Sequence, residues 1–353
     1  MKRKAILFFP IGNACGGAER RLIRIFGNML TDQKEQIVIA VHDKGISTCL
    51  RSEIDGWSKG RAVYFNNIIS LFCFMIKNKS KWIFAATLGL EPVFVFFFAK
   101  LLCIKRCFCS VYHKTSMLQC ESKKANNRFE LLVSLSNHID CLYPNAIPLL
   151  KKRYPHKKIT LTPGAFTDMN KFIPKPKKNK IVFAGTLKED KGINLFINSI
   201  EKIQKILIDN NFLCVVCGDG PLFQSTKEIV TSKKLDDLIQ MSGRIVDTSN
   251  VLSEAKVFCS LQTPTNYPSQ SLIEAMACGC YCIVTNCGES FMMVDESFGV
   301  LINATIDSLA SAILDAINYS AEKYCAISIA SRKYVKEHFS ICKSISYFEK
   351  IIS

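Results

Sequence analysis

The sequence predicts two α/β domains, each built on a parallel sheet covered by helices. Three observations carry that expectation. The chain has 353 residues, too long for one ordinary domain and suited to two of about 150–200 residues that each bury a core. Short apolar runs alternate with amphipathic stretches throughout, the pattern that yields strand and helix in turn. Near residue 160 the texture changes: Thr162-Pro163-Gly164 is a turn signal, and IPKPKKNK at 173–180 is a Pro/Lys linker without apolar periodicity. With 48% hydrophobic and 22% charged residues, disorder is excluded.

In chain order, the first domain takes residues 1–165, with strands expected at 4–9, 36–41, 82–86, 107–112 and 131–134 and helices between them. The start, MKRKAILFFPIG, has a basic end and an apolar stretch too short for a signal-peptide core, so it reads as a first buried strand. Residues 82–104 are strongly apolar, yet Glu91, Pro92 and Lys100 interrupt them. A buried helix opening at Pro92 is expected there rather than a membrane span, with contact on one membrane face left open. The second domain takes residues 166–334, with strands at 181–184, 212–217, 239–242, 257–260 and 280–285 and a helix at 194–208.

The net charge of +16 is unevenly placed. Residues 1–165 hold 26 Lys and Arg against 10 Asp and Glu, whereas the remainder holds 20 of each. A one-sided basic surface points to an anionic partner: nucleic acid, an anionic membrane or a phosphorylated substrate. The 17 cysteines lack paired zinc-finger spacing. Cys278, Cys280 and Cys282 alternate along an apolar run, as expected of reduced, mostly buried thiols in a cytosolic protein.

Glycine-rich strand exits carry the candidate chemistry. Gly12-Asn13-Ala14-Cys15-Gly16-Gly17 follows the first strand and precedes a helix near Glu19; there backbone amides can approach a phosphate, or the segment is only a tight turn. FAGTLKEDKGINLF (183–196) sets Thr186 at a strand exit and Lys191-Gly192 at the mouth of a helix, where the ammonium meets a phosphate as a point charge. CGDGPL (217–222) and MSGRIVD (241–247) are further exits, the latter with Arg244 and Ile245. In SLQTPTNYPSQSLIEAMACG (260–279) a polar loop opens a helix near 268–271. Free amides at Ser269, Gln270 and Ser271 can cradle a phosphate there, and Glu274 one turn on can accept both hydroxyls of a ribose, or is an ordinary surface glutamate. His113 ends a strand in CSVYHKTS, a place where catalytic groups gather, or is an ordinary core histidine.

Taken in order, Gly16-Gly17, His113, Lys191-Gly192, Gly218-Asp219-Gly220-Pro221, Gly243-Arg244 and Glu274-Ala-Met-Ala-Cys-Gly279 resemble the nucleotide-sugar glycosyltransferases of family four (glycosyl transferases group 1), a retaining group with the GT-B fold. The resemblance covers essentially the whole chain and is strongest over 181–288. It implies two Rossmann-like domains facing across a cleft, the second binding the donor and the first the acceptor, with a final helix over 335–353 returning to the first domain. It implies no cofactor and no metal. On this resemblance Glu274 holds the ribose and Lys191 the diphosphate. The backbone near Arg244 and Ile245 meets the base, and Ser269, Gln270 and Ser271 complete the phosphate site. Gly16 and Gly17 approach from the other domain, and His113 reaches the donor sugar or reaction centre.

Two positions and one three-residue segment depart from the family pattern. Thr186 stands where the family has an arginine, Asn266 where it has its first glutamate, and Tyr-Pro-Ser (267–269) where it has Gly-Phe-Gly. A neutral amide at Asn266 hydrogen-bonds a sugar hydroxyl but cannot act as a carboxylate, so altered donor recognition is expected before loss of catalysis.

The basic residues are scattered and form no nucleic-acid-binding motif. A lipid-linked glycan acceptor at an anionic membrane fits better, with residues 68–76 beside Lys77, Lys79 and Lys81, and 147–150 beside KKRYPHKK. The expected activity is transfer of a hexose from a UDP- or GDP-sugar in bacterial surface polysaccharide synthesis (lipopolysaccharide, O-antigen or capsule), at the cytoplasmic face of the inner membrane. A nucleotide-sugar epimerase of the same fold and a non-catalytic sugar-nucleotide-binding scaffold are the alternatives; dependence on added acceptor separates the first.

Overall fold

Runs rich in β-branched and aromatic residues pair into two all-parallel sheets in the computed structural model, which describes residues 5–11, 17–29, 37–43, 45–78, 80–87, 89–110, 123–164, 166–245, 247–263 and 267–353. The chain divides into two units, Met1–Gly164 with Ile341–Ser353, and Ala165–Ser340.

Among the described residues the first unit holds seven strands: β1 (Ala5–Ile11), β2 (Ile37–Asp43), β3 (Ala62–Phe65), β4 (Trp82–Ala85), β5 (Lys105–Ser110), β6 (His138–Cys141) and β7 (Lys158–Leu161), in the order β3-β2-β1-β4-β5-β6-β7. Leu7 of β1 sits opposite Ile39 and Phe84, all fully buried. The helix Ile341–Ile352 closes this unit: its buried Phe348 meets Phe26 and Phe84 at ring-centroid distances of 5.3 and 5.9 Å. The returning segment therefore begins at Ile341 rather than at 335, because the helix Ala321–His338 runs to its end within the second unit.

Under that helix lies a partly buried polar chain. The Tyr347 hydroxyl donates to Asp140 Oδ1 at 2.6 Å and lies 2.5 Å from Thr160 Oγ1, which in turn is 2.6 Å from His138 Nε2. Buried Arg21 donates to Gly164 O (2.7 Å) and Thr162 Oγ1 (2.6 Å). Burial pushes the Asp140 carboxyl up to about 6, against the pull of Arg21 and Tyr347, and pushes the His138 imidazole down to about 4.

The second unit holds β8 (Lys178–Ala184), β9 (Leu213–Cys217), β10 (Ile239–Met241), β11 (Ala255–Ser260), β12 (Tyr281–Thr285) and β13 (Gly299–Ile302), ordered β10-β9-β8-β11-β12-β13. Both sheets reverse direction of growth at their middle, between β1 and β4 and between β8 and β11. At such a point the connections diverge and leave a crevice beyond the carboxyl ends of the strands.

Three expectations need correction. Residues 131–134 are helical, within Lys123–Leu135, because Phe129, Leu132 and Val133 are buried at helical spacing while Leu131 is exposed. The helix expected over 194–208 breaks at Ile203 into Ile193–Lys202 and Gln204–Asp209. The helix containing Pro92 starts at Leu90 and is not buried all round: Pro92, Val95, Phe96 and Ala99 face inward while Leu90, Phe94, Phe97 and Leu101 are exposed. Among the described residues no helix is long and apolar enough to cross a membrane. The described cysteines are free thiols, nine of them buried, and burial raises the pKa of those inside, Cys141 to about 12.

Candidate functional site

The loops leaving β8, β9, β10 and β11 are stitched to one another at the carboxyl edge of the second sheet. Gly185 N–H donates to Cys217 O (3.0 Å), Leu187 N–H to Asp219 O (3.0 Å), Gly218 N–H to Gly243 O (2.8 Å) and Thr263 N–H to Asp190 O (3.1 Å). This lacing depends on backbone approach that only glycine permits. A Cβ on Gly218 would lie 1.9 Å from Gly185 O, and one on Gly192, whose φ is +79°, would lie 2.2 Å from Leu261 O.

Lys191 ends a 3-10 turn, Glu189–Lys191, immediately before Gly192 and the helix Ile193–Lys202. Its ammonium is half-buried, and desolvation lowers its pKa; Asp190 and Cys287 pull the other way. Cys287 leaves β12 and donates to Gln262 O at 3.1 Å, so the exits of β8, β11 and β12 meet around this lysine. Thr186, where a guanidinium would reach further, is exposed on the β8 exit.

Glu274 lies one turn inside the helix Gln270–Ala277, whose buried side is Leu272, Ile273, Ala275, Met276 and Ala277. Its carboxylate is held from two directions: Gln270 Nε2 donates to Oε1 at 2.9 Å and Thr248 Oγ1 to Oε2 at 3.3 Å. Gln270 Nε2 also donates to Phe166 O at 3.1 Å. These bonds fix the orientation of the carboxylate at the start of the helix. Thr248 follows Arg244 and Ile245 on the segment leaving β10; Arg244 is exposed and Ile245 packs on the core.

The three amides expected at this helix start are not equivalent. Ser269 N–H donates to Met293 Sδ at 3.3 Å and Ser269 is 1% exposed, so its amide is already engaged. Gln270 and Ser271 remain as first-turn donors, whose N–H groups have no intrahelical partner.

Gly16, His113 and Asn266 lie outside the described residues, and Gly17 opens the helix Gly17–Asn28. Among the described residues no cluster of three or more His, Cys, Asp or Glu has the geometry to hold a metal. Two features escaped the sequence reading. Thr248 carries no motif and is identified only by its bond to Glu274, 26 residues on. In the first unit, His42 at the end of β2 pairs with Glu91 (Nδ1 to Oε2, 2.8 Å), its other nitrogen 3.4 Å from Asn66 O.

Residues 166–334 match the family described as Glycosyl transferases group 1. The chain is 24% identical over 251 residues to one subunit of the human phosphatidylinositol N-acetylglucosaminyltransferase, covering 66% of this chain and 46% of that protein. It is 30% identical over 120 residues to the Campylobacter jejuni GalNAc-alpha-(1->4)-GalNAc-alpha-(1->3)-diNAcBac-PP-undecaprenol alpha-1,4-N-acetyl-D-galactosaminyltransferase, covering 34% of this chain and 32% of that one. The matches thus span less than half the length of these curated relatives. The crystal structure of Anabaena Alr3699/HepE in complex with UDP-glucose superposes with a TM-score of 0.79 at 14% identity, over 99% of both chains.

Proposed function

From the match of residues 166–334 to the glycosyl transferases group 1 family and the GT-B fold, we propose that the chain is a retaining hexosyltransferase. On this reading the donor is a UDP- or GDP-linked sugar, the acceptor a lipid-linked glycan, and the setting bacterial surface polysaccharide assembly at the inner face of the cytoplasmic membrane. No metal and no cofactor take part.

The observation that carries this reading is the doubly held carboxylate of Glu274, on the same strand-exit edge as half-buried Lys191. An oriented carboxylate suits the two hydroxyls of a ribose, while a desolvated ammonium suits the diphosphate. Departure of a nucleoside diphosphate builds negative charge on its phosphate oxygens. Lys191, the Gln270 and Ser271 amides and the positive end of their helix are fixed in advance to meet that charge, the form of stabilisation that lowers a barrier most. Arg244, Ile245 and Thr186 stand on the strand exits that the base and sugar would approach. Acceptor attack from the face of the departing phosphate retains configuration and requires no carboxylate nucleophile, unlike the paired carboxylates of retaining glycosidases.

The C. jejuni relative acts, by its name, on an undecaprenol-linked glycan, which supports the lipid-linked acceptor. The test is a panel of nucleotide sugars with nucleoside diphosphate release as readout, with and without a lipid-linked acceptor. One donor is expected to give acceptor-dependent release. Donor consumption that ignores the acceptor would favour an epimerase instead.

A further inference from the structure

The helix Leu90–Leu101 is apolar on two opposite sides. Its inner side is buried, whereas Leu90, Phe94, Phe97 and Leu101 repeat at helical spacing along the outer side. The neighbouring helix Ile68–Asn78 packs against it through stacked Phe72 and Phe98, with centroids 4.0 Å apart, and extends the apolar surface with Ile69 and Ile76. These six side chains are 53–69% exposed. Contiguous apolar surface on this scale marks a contact site.

We propose that this two-helix face seats in the headgroup layer of an anionic lipid bilayer. Charge selects the occupant. Exposed Lys77, Lys81, Lys100 and Lys105 rim the end of the face where both helices run into their next strands, and none is ion-paired among the described residues. Lys157 adds to the cluster, its pKa lowered by burial and then by Arg106 and Lys100. The unit that carries the face holds 28 Lys and Arg against 11 Asp and Glu, whereas the other holds 18 against 19. A second copy docked here would bring two such rims together, while an anionic leaflet neutralises one. At 12 residues the helix is about 18 Å long, too short to span and suited to lying in the interface plane.

The inference deepens the lipid-linked acceptor reading and rests on it. The test is co-sedimentation of the full chain with vesicles of phosphatidylcholine alone and of phosphatidylcholine mixed with phosphatidylglycerol. Wild type is expected to bind the mixed vesicles preferentially. Phe94→Asp with Phe97→Asp should lower that binding roughly tenfold or more, and Lys100→Glu with Lys105→Glu should abolish the preference. Phe97→Trp, which keeps the apolar face, should shift its emission to the blue on adding mixed vesicles. Wild type that ignores mixed vesicles, equal binding to both kinds, or unshifted Trp emission overturns the proposal. So does a dimer in gel filtration that the Phe94/Phe97 variant dissolves, since the face is then a self-interface. Transfer to a soluble glycan keeps the two questions apart. The double-Asp variant should retain the wild-type rate there, and absence of transfer by both proteins strikes the transferase reading alone.

Discussion

Replacing Glu274 by alanine tests the donor site most directly, because the structure shows two bonds that orient its carboxylate. Its two oxygens accept from Gln270 at 2.9 Å and Thr248 at 3.3 Å, which holds the carboxylate in place before any ligand arrives. A ribose hydroxyl would add a charge-assisted bond, and losing one such bond costs about 1.5–3 kcal/mol. That corresponds to a roughly 10- to 150-fold rise in the Kd for UDP or GDP. Thr248→Val removes only the orienting bond, worth about 0.5–1.5 kcal/mol, and should weaken binding roughly 2- to 10-fold. Isothermal titration calorimetry of each variant measures both. Alanine is the best helix former, so the helix Gln270–Ala277 should persist, and an unchanged circular dichroism spectrum checks this. A Glu274→Ala protein that binds the nucleotide within about twofold of wild type refutes the ribose assignment, since no charge-assisted contact is that weak.

Lys191→Ala should weaken donor binding by a similar about 1.5–3 kcal/mol. Because desolvation lowers the Lys191 pKa, wild-type affinity should fall on the alkaline side before an ordinary lysine would lose its proton, and a pH series of Kd values reads this. In the first unit, buried His138 is held near 4 while the unfolded chain titrates near 6.5. The unfolded state therefore binds more protons between those values, and the His138 contribution, full above 6.5, is lost as pH falls toward 4. Urea unfolding of His138→Asn should show stability relative to wild type rising by up to about 3 kcal/mol across that range; a constant difference would refute the buried neutral imidazole.

Legibility followed how local the determining contacts are. The strands of the second sheet from β8 to β12 read closely from unbroken apolar runs ending in glycine or polar residues. Strand β6 did not, because His138 and Asp140 look like loop residues until Thr160 and Tyr347, 22 and 207 positions away, supply their partners. The run LLVSLS at 131–136 was ambiguous between strand and helix, and tertiary packing of Phe129 and Leu132 decided it. At the site, Gln270 and Glu274 are one turn apart, so their pairing was within reach of sequence. Thr248 and Met293 were not, since each reaches the same helix through the fold alone. The outer side of Leu90–Leu101 was hidden for a related reason: a helix apolar on opposite sides does not declare which side its neighbours leave open.

The uneven charge acquires a physical meaning once it is assigned to the units. The second unit, with 18 basic and 19 acidic residues, offers a diphosphate no general positive field. Its anion binding must come from groups within bonding distance: Lys191, two first-turn amides and a helix end. Such short, partly desolvated contacts are weakly screened by salt, whereas a field summed over exposed lysines fades beyond about 8–10 Å at physiological ionic strength. The two proposed partners should therefore separate on a salt series. Nucleotide affinity should change little, while binding of the basic unit to anionic vesicles should fall steeply. If nucleotide affinity fell as steeply as vesicle binding, the diphosphate would be held by the basic unit's field, and Lys191 and the helix start would lose the role given to them.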